Sequence, residues 1–429
     1  MKRTKISTPI SQNQVKAILN WAQNFPYFCY FNPRQTEGYP QGTFTHQLAL
    51  SSKKINLSPC CNFDSLKTSL LKSSDQHLFG YFSYDLKNEL EHLSSENDAW
   101  INWPQMIFFR AECTLFFKED HLIIETDNSE YYEAQIRTIL ELETDNSSQG
   151  TKTSFTITPQ TSKAEYINTV KKLQNHIVEG DIYEINYCMN YTAETSNFDP
   201  ITSYLSLSQK SPTPFACLLK AEARYILCAS PERFTKLEEG KIISQPIKGT
   251  AKRSAIIEED EKLRHALRNS EKERAENMMI VDLVRNDLAK SSKAGTVKVE
   301  EMFGIYSFAK VHQMISTIVA EAKEGVHSVD IIKNAFPMGS MTGAPKIRAM
   351  QLIEQYENSK RGAFSGSIGY FKGANKFDFN VVIRSIFFDK NSGKLNYQVG
   401  SAITHDSDPE QEYEECLLKA QAIEEVLNH

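Results

Sequence analysis

Between residues 223 and 403 one kind of segment recurs: ARYILCASPERF, KIISQPI, GAFSGSIGYF, NVVIRSIFF and KLNYQVGSAI. Each is a short run of aromatic and β-branched residues bounded by turn formers. Such runs predict strands, because these side chains suit a pleated surface and Gly, Pro, Asn and Ser suit the turns between them. Segments at roughly 255–292, 327–336, 345–356 and 410–427 read as helices. Strands and helices mix without a regular strand-helix-strand beat and without an internal repeat. The residues therefore predict an α/β chain with sizeable mixed sheets.

Ahead of these strands, AEYINTVKKLQNHIVEGD places Tyr166, Val170, Leu173 and Ile177 at helical spacing and stops at Gly180-Asp181, and IYEINYCMNY follows as a strand. The stretch from Asp145 to Lys163, DNSSQGTKTSFTITPQTSK, is poor in large apolar groups and reads as a boundary or long connection. It separates an N-terminal region, 1–150, with strand-like HLFGYFSYDL and MIFFRAECTLFF, from a region 160–429 that carries the motifs below.

With 48 Lys and Arg against 54 Asp and Glu, the chain has no broad footprint for nucleic acid or an anionic membrane surface, and a small molecule is the better partner. The eight cysteines, Cys29, Cys60, Cys61, Cys113, Cys188, Cys217, Cys228 and Cys416, are scattered without a CxxC pair or a histidine cluster. That pattern predicts reduced thiols, neither a disulfide frame nor a zinc site. No apolar segment follows the basic start and no run of 18 apolar residues occurs, so a cytoplasmic location is expected.

Lys248 stands in QPIKGTAKRS, and its role is the central question. A phosphate loop would need a glycine, four residues, then Gly-Lys-Ser/Thr; here the lysine precedes the glycine. A solvated loop residue and a nucleophile both stay open. Glu273 and Glu276 lie three apart on one helix, Glu412 and Glu415 on another, so each pair shares a helix face. Singly, such pairs are solvated faces; brought together, four carboxylates require a cation, and oxygen ligands favour Mg²⁺. Asp282, Arg285 and Asp287 read as structural. FPMGSMTGAPK places Gly339, Ser340, Thr342 and Gly343 before a helix opened by Pro345, a start that binds anions or simply turns the chain. Arg384 ends a predicted strand and is the residue type suited to bidentate carboxylate binding. Gly400-Ser401 follow another strand, where exposed amides can meet an anion.

In order along the chain, PIKGT, AENMMIVDLVRNDLAK, HQMIST, FPMGSMTGAPKIRAM, GAFSGSIGYF, NVVIRS and GSAITHDSDPEQEYEE resemble the chorismate-utilising enzymes, which include anthranilate, isochorismate and salicylate synthases and aminodeoxychorismate synthase component I. The resemblance spans about 160–427 and extends more loosely into the N-terminal region through FGYFSYDLKNELE. It implies the anthranilate synthase component I-like fold: two large mixed or antiparallel sheets packed together with helices outside. Residues 160–429 are then the chorismate-binding catalytic region.

Within the family, PIKGT resembles the aminodeoxychorismate synthase pattern, whereas anthranilate synthases carry alanine in place of the lysine. Water-using members have a lysine base on the strand matching GDIYEINY; here Glu184 stands there, where ammonia-using members usually have glutamine. The implied reaction converts chorismate and ammonia into 4-amino-4-deoxychorismate, on the way to para-aminobenzoate and folate. Anthranilate synthase component I is the alternative.

Direct replacement of the C4 hydroxyl by an amine is hindered. If Lys248 first adds at C2 as that hydroxyl leaves, ammonia can then add at C4 and expel the lysine, and two allylic steps replace one hard one. This requires a neutral Lys248, hence a lowered pKa. The resemblance further implies Glu232 as general acid and His312 near the departing oxygen. It places Gly249, Thr250, Ser340, Tyr370, Arg384, Gly400, Ser401 and Lys419 around the substrate, and Mg²⁺ on Glu276, Glu412 and Glu415 with Glu273. No cysteine here has the glycine-rich nucleophile setting of a class I glutaminase, so a separate glutamine amidotransferase is the implied ammonia source. The Leu-Leu-Glu-Ser stretch that binds tryptophan in feedback-regulated anthranilate synthases is not found; tryptophan inhibition is not expected, although SPTPFACLL resembles another piece of that site.

Overall fold

The structure, a computed structural model, describes residues 1–34, 38–55, 61–72, 77–141 and 155–428. Residues 145–154 of the expected connection, and Cys60, lie outside them. The strands form two sheets, of twelve and nine strands. Every pairing among the described residues is antiparallel, so the sheets are antiparallel and not mixed. The larger sheet has at its centre Tyr27–Phe31, Phe215–Ala221, Arg224–Ser230, Ser385–Asp389, Lys394–Ile403 and Glu184–Glu194. The smaller runs Ile247–Lys252, Val311–Glu321, Lys241–Gln245, Arg233–Glu238, Phe377–Asn380, Ser367–Lys372, His77–Phe82 and Met106–Arg110, with Lys298–Ser307 also paired to Val311–Glu321. Both draw strands from either side of residue 150: Tyr27–Phe31 pairs with Phe215–Ala221, and His77–Phe82 with Ser367–Lys372.

The strand alternation sorts the core. Tyr27, Cys29 and Phe31 pack between the sheets with Cys217, Phe79 and Phe379, while Phe28 and Tyr30 face the opposite way. There they meet apolar residues of the outer helices Gln12–Ala22, Pro200–Lys210 and Pro409–Leu427. The central strands are covered on both faces, which is why YFCYF and FACLLKA read as unbroken apolar runs. Even Lys220 is buried there, its ammonium donating to the carbonyls of Gln23 and Phe25 at 2.5 and 2.8 Å.

The helical segments form where expected. Residues 255–292 resolve into Ile257–Asn269 and Glu271–Ala289, separated at Ser270, whose hydroxyl caps the second helix by accepting from the Glu273 amide. Lys163–Val178 starts from a Ser162–Glu165 capping box and buries Tyr166, Val170 and Leu173. NVVIRSIFF departs from expectation. It is not one strand: Phe377–Asn380 belongs to the smaller sheet and Ser385–Asp389 to the larger, and residues 381–384 carry the chain across. Pro231 and Glu232 make a second crossing beside it, between Arg224–Ser230 and Arg233–Glu238, tied by the Val381 amide donating to the Glu232 carbonyl at 3.0 Å.

Candidate active site

A cavity of about 700 Å³ opens where these two crossings lie side by side. Its walls come from the crossings, the Ile247–Lys252 strand, the Glu271–Ala289 helix and the C-terminal helix Pro409–Leu427.

Lys248 enters it through a β-bulge. Ile247 pairs with Ile315 and Thr250 with Gln313, so three residues on one strand span two on the other. Gly249, at φ +93°, completes the bulge in a backbone conformation that favours glycine, and a Cβ there would also press on Glu273 and Leu267 at 2.9–3.3 Å. Lys248 is buried, and its Nζ lies 2.5 Å from Glu184 Oε1, also buried. Burial alone would lower its pKa, but the carboxylates of Glu184, Glu276 and Glu232 reverse the sign and hold the ammonium above the ordinary lysine range. The expectation of a lowered pKa is thus corrected for the ligand-free chain: the surrounding charge is acidic, and something must take the proton.

Glu232, at the crossing, faces the same cavity. Burial pushes its carboxyl up to about 7, against the opposing hydrogen bond from Ser340 Oγ at 2.6 Å and the charge of Lys248. It is partly protonated at neutral pH, where an exposed glutamate would be ionised. Arg384 sits at the end of the other crossing, just before the Ser385–Asp389 strand, with φ +52°, a left-handed conformation, and its side chain lines the cavity. Burial lowers its pKa to about 10, and its guanidinium has no hydrogen bond or ion pair among the described residues. Arg384 is partly exposed on the cavity wall, and a guanidinium with no carboxylate bound to it leaves its donors free for an anion.

Glu273, Glu276 and Glu415 line the cavity from two facing helices, while Glu412 lies behind them, held by Lys272 Nζ at 2.9 Å. Burial pushes Glu276 up to about 8, and its Oε1 accepts no hydrogen bond. Burial and Glu415 raise Glu273 as well. The two pairs do converge, with Lys248, Lys272 and Lys419 among them, and this set of carboxylate oxygens fits a hard, oxygen-seeking cation. In the ligand-free chain they do not close into a cage. The trio of ligand atoms within 4.8 Å of one another among the described residues is elsewhere, at His176, Glu179 and Asp181, where both ring nitrogens of His176 are already engaged by Asp181 and Tyr356.

This arrangement carries a pH dependence. Folded, Glu232 and Glu276 keep protons to about 7 and 8; unfolded, they titrate near 4.5. The folded state therefore binds more protons across that window, and stability is lost as pH rises through it. The melting temperature of metal-free protein is expected to fall by about 2–5 °C between pH 6 and 9. Millimolar Mg²⁺ should reduce the fall by favouring the ionised glutamates. A melting temperature that rises over this range, or ignores Mg²⁺ at pH 9, would contradict the electrostatics described here.

Thr250, Ser340, Gly400 and Lys419 also line the cavity. Lys419 Nζ donates to the Gly400 carbonyl at 2.9 Å and pairs with Glu415 at 2.7 Å. Besides Glu412, three predicted residues do not reach it. His312 is locked on the other side of its strand, Nδ1 against Ser307 Oγ at 2.8 Å and Nε2 against Asp260 Oδ1 at 3.0 Å. Tyr370 packs between the sheets against Phe31, ring centroids 5.3 Å apart. Ser401 turns its hydroxyl to the buried Tyr166 phenol at 2.7 Å.

Gln313, the neighbour of His312 and so on the opposite face, lines the cavity instead, with an Oε1 that accepts no hydrogen bond. Sequence reasoning missed it and the lining amide Asn186; a period-two count along Val311–Glu321 separates 312 from 313 but does not say which face is the cavity's. Asp282 and Arg285 form an exposed pair at 2.7 Å, and Asp287 binds Lys346 at 2.5 Å, structural roles as read.

The chorismate binding enzyme family matches residues 25–425. A probable aminodeoxychorismate synthase, chloroplastic, of Oryza sativa subsp. japonica is 43% identical over 284 residues, which cover 66% of this chain and 31% of that protein. Aminodeoxychorismate synthase component 1 of Klebsiella aerogenes is 36% identical over 349 residues, covering 80% and 75%. The chain thus spans about a third of the plant relative's length and three quarters of the bacterial one's. The crystal structure of anthranilate synthase component I from Streptococcus pneumoniae TIGR4 superposes with a TM-score of 0.75 at 22% identity, covering 100% of this chain and 92% of that one.

Proposed function

Because this chain belongs to the chorismate binding enzyme family, we propose that it performs the reaction of aminodeoxychorismate synthase component 1, converting chorismate and ammonia to 4-amino-4-deoxychorismate. The observation that carries the reading is Lys248, turned by its bulge into a buried cavity beside a glutamate that is protonated near neutrality. The Lys248 amine adds at C2 of the ring while Glu232 gives its proton to the departing C4 hydroxyl, which leaves as water. Ammonia adds at C4, the bond from C2 to lysine breaks, and the new ammonium returns a proton to Glu232. Arg384, unpaired in the cavity wall, binds a substrate carboxylate, with Lys419 and the edges of Gly249, Thr250, Ser340 and Gly400 around it. Glu276, Glu412 and Glu415, with Glu273, would hold Mg²⁺, which supplies neutralising charge for the ring carboxylate when bound.

The proposal includes a second component. The bacterial relative's name, component 1, implies one, and we assign it the chemistry of a glutamine amidotransferase that delivers ammonia. It also includes a cytoplasmic setting, supported by the seven free cysteines among the described residues. No described helix is long and apolar enough to cross a membrane.

Purified protein incubated with chorismate, Mg²⁺ and an ammonium salt should yield a product that keeps the enolpyruvyl group and carries an amine in place of the hydroxyl, identified by liquid chromatography and mass spectrometry. Anthranilate with released pyruvate would overturn this assignment in favour of the anthranilate synthase reaction.

A further inference from the structure

We infer that Glu184 is the proton acceptor that turns the Lys248 ammonium into the attacking amine and afterwards returns the proton. The inference rests on the nucleophilic role proposed for Lys248. Its ground is the contact at 2.5 Å between two buried side chains, Glu184 Oε1 and Lys248 Nζ, in which Glu184 is the hydrogen-bond partner that Lys248 has. Glu184 does not line the cavity while Lys248 does, so the carboxylate stands behind the nitrogen, on the side away from an incoming ring. Its position is fixed by the main chain: Glu184 begins the strand Glu184–Glu194 and is paired with Ala344. No second donor holds its charge, since Oε2 accepts no hydrogen bond.

Lys248 is otherwise surrounded by Glu232 from the crossing, Glu273 and Glu276 from the Glu271–Ala289 helix, and Glu415 and Lys419 from the C-terminal helix. Of these charged groups, Glu184 alone is within hydrogen-bond reach of Nζ. In a buried pair, a charge-separated ammonium carboxylate and a neutral amine with a carboxylic acid differ far less in free energy than they do in water. One proton moving from Nζ to Oε1 therefore creates the nucleophile without any exchange with solvent.

The steps balance. Nζ passes a proton to Glu184, then forms its bond to C2 as the C4 hydroxyl departs with the proton of Glu232. The adduct nitrogen is a secondary ammonium, so it leaves C2 as the neutral amine when ammonia bonds to C4. Glu184 then gives its proton back to Nζ, and the pair is restored.

The test compares wild type with Glu184→Gln in chorismate turnover at saturating ammonia between pH 6.5 and 9.5, with mass spectrometry of the Lys248 peptide after incubation with chorismate and no ammonia. The variant must lose its Lys248 proton to solvent. The ratio of wild-type to variant kcat should therefore fall with rising pH, by about tenfold per unit until the variant's lysine is neutral. Taking the ratio cancels the titration of Glu232, which both proteins share. Glu184→Asp, which keeps a carboxylate on a shorter arm, should be slower than wild type with the wild-type profile. It also reports on the site if the glutamine variant does not fold. A ratio constant with pH, or a Glu184→Asp profile unlike that of wild type, would overturn the inference while leaving a Lys248 adduct in wild type intact. Absence of that adduct in wild type, with Lys248→Ala retaining turnover, would instead remove the reading on which it rests.

Discussion

Replacing Lys248 with alanine is expected to lower chorismate turnover by about 10²–10³-fold or more at saturating ammonium, with no chorismate-derived mass on the 247–252 peptide. The size follows from what is removed. Without the amine, ammonia must displace the hydroxyl directly at a hindered carbon. Two controls separate chemistry from structure. The alanine variant leaves Glu184 buried without its partner, a loss of about 3–5 kcal/mol for a broken buried pair, so its melting temperature must be read alongside its rate. Lys248→Arg keeps the positive charge opposite Glu184, yet a guanidinium is not deprotonated in proteins, so this variant should be folded and as inactive as alanine. Turnover near wild type in either variant would show that Lys248 is a positioning charge and not a nucleophile.

Glu232→Gln is expected to reduce kcat by about 10²–10⁴-fold, the range for loss of a general acid, with a smaller effect on KM. The amide is close in shape and still accepts from Ser340, so the wall of the cavity is kept and the transferable proton is lost. The sign of the pH dependence follows from the carboxyl at about 7: the acid must be protonated to act, so wild-type kcat falls as pH rises through that value, and the glutamine variant lacks this limb. Ser340→Ala removes a hydrogen bond that favours the ionised form, so it should move the limb to higher pH. A glutamine variant with the wild-type rate and the same alkaline limb would take the role of acid away from Glu232.

Much of the fold was readable because burial on both faces writes central strands as apolar runs, as in FACLLKA, and because caps such as Ser162 and Asp408 mark helix starts. Helical spacing put each glutamate pair on one face, but their convergence on one site was implied only by the family resemblance. What the sequence hides is register. That Lys248 faces inward depends on one extra residue opposite 313–315, a property of two strands joined only in the fold. The same parity puts Gln313 in the cavity and His312 outside it, and separates Gly400 from Ser401. Arg384 was read as a strand end, but its position comes from a crossing between sheets that no local pattern in NVVIRSIFF announces. Tyr370 lies in a strand covered on both faces, where an aromatic reads alike as core or site.

The sharing of both sheets across the chain also fixes an order of events during synthesis. His77–Phe82 can pair early with Met106–Arg110 but finds its second neighbour only when Ser367–Lys372 exists, and Tyr27–Phe31, beside Gln47–Ser51, waits likewise for Phe215–Ala221. At about 5–20 residues per second on the ribosome, the first of these partners arrives tens of seconds after its mate has emerged. Through that interval, apolar strands such as HLFGYF and YFCYF stand with open edges, the condition under which nascent chains pair with the wrong neighbour. The yield of active protein in a cell is therefore expected to depend on temperature and translation speed more steeply than the stability of the finished fold.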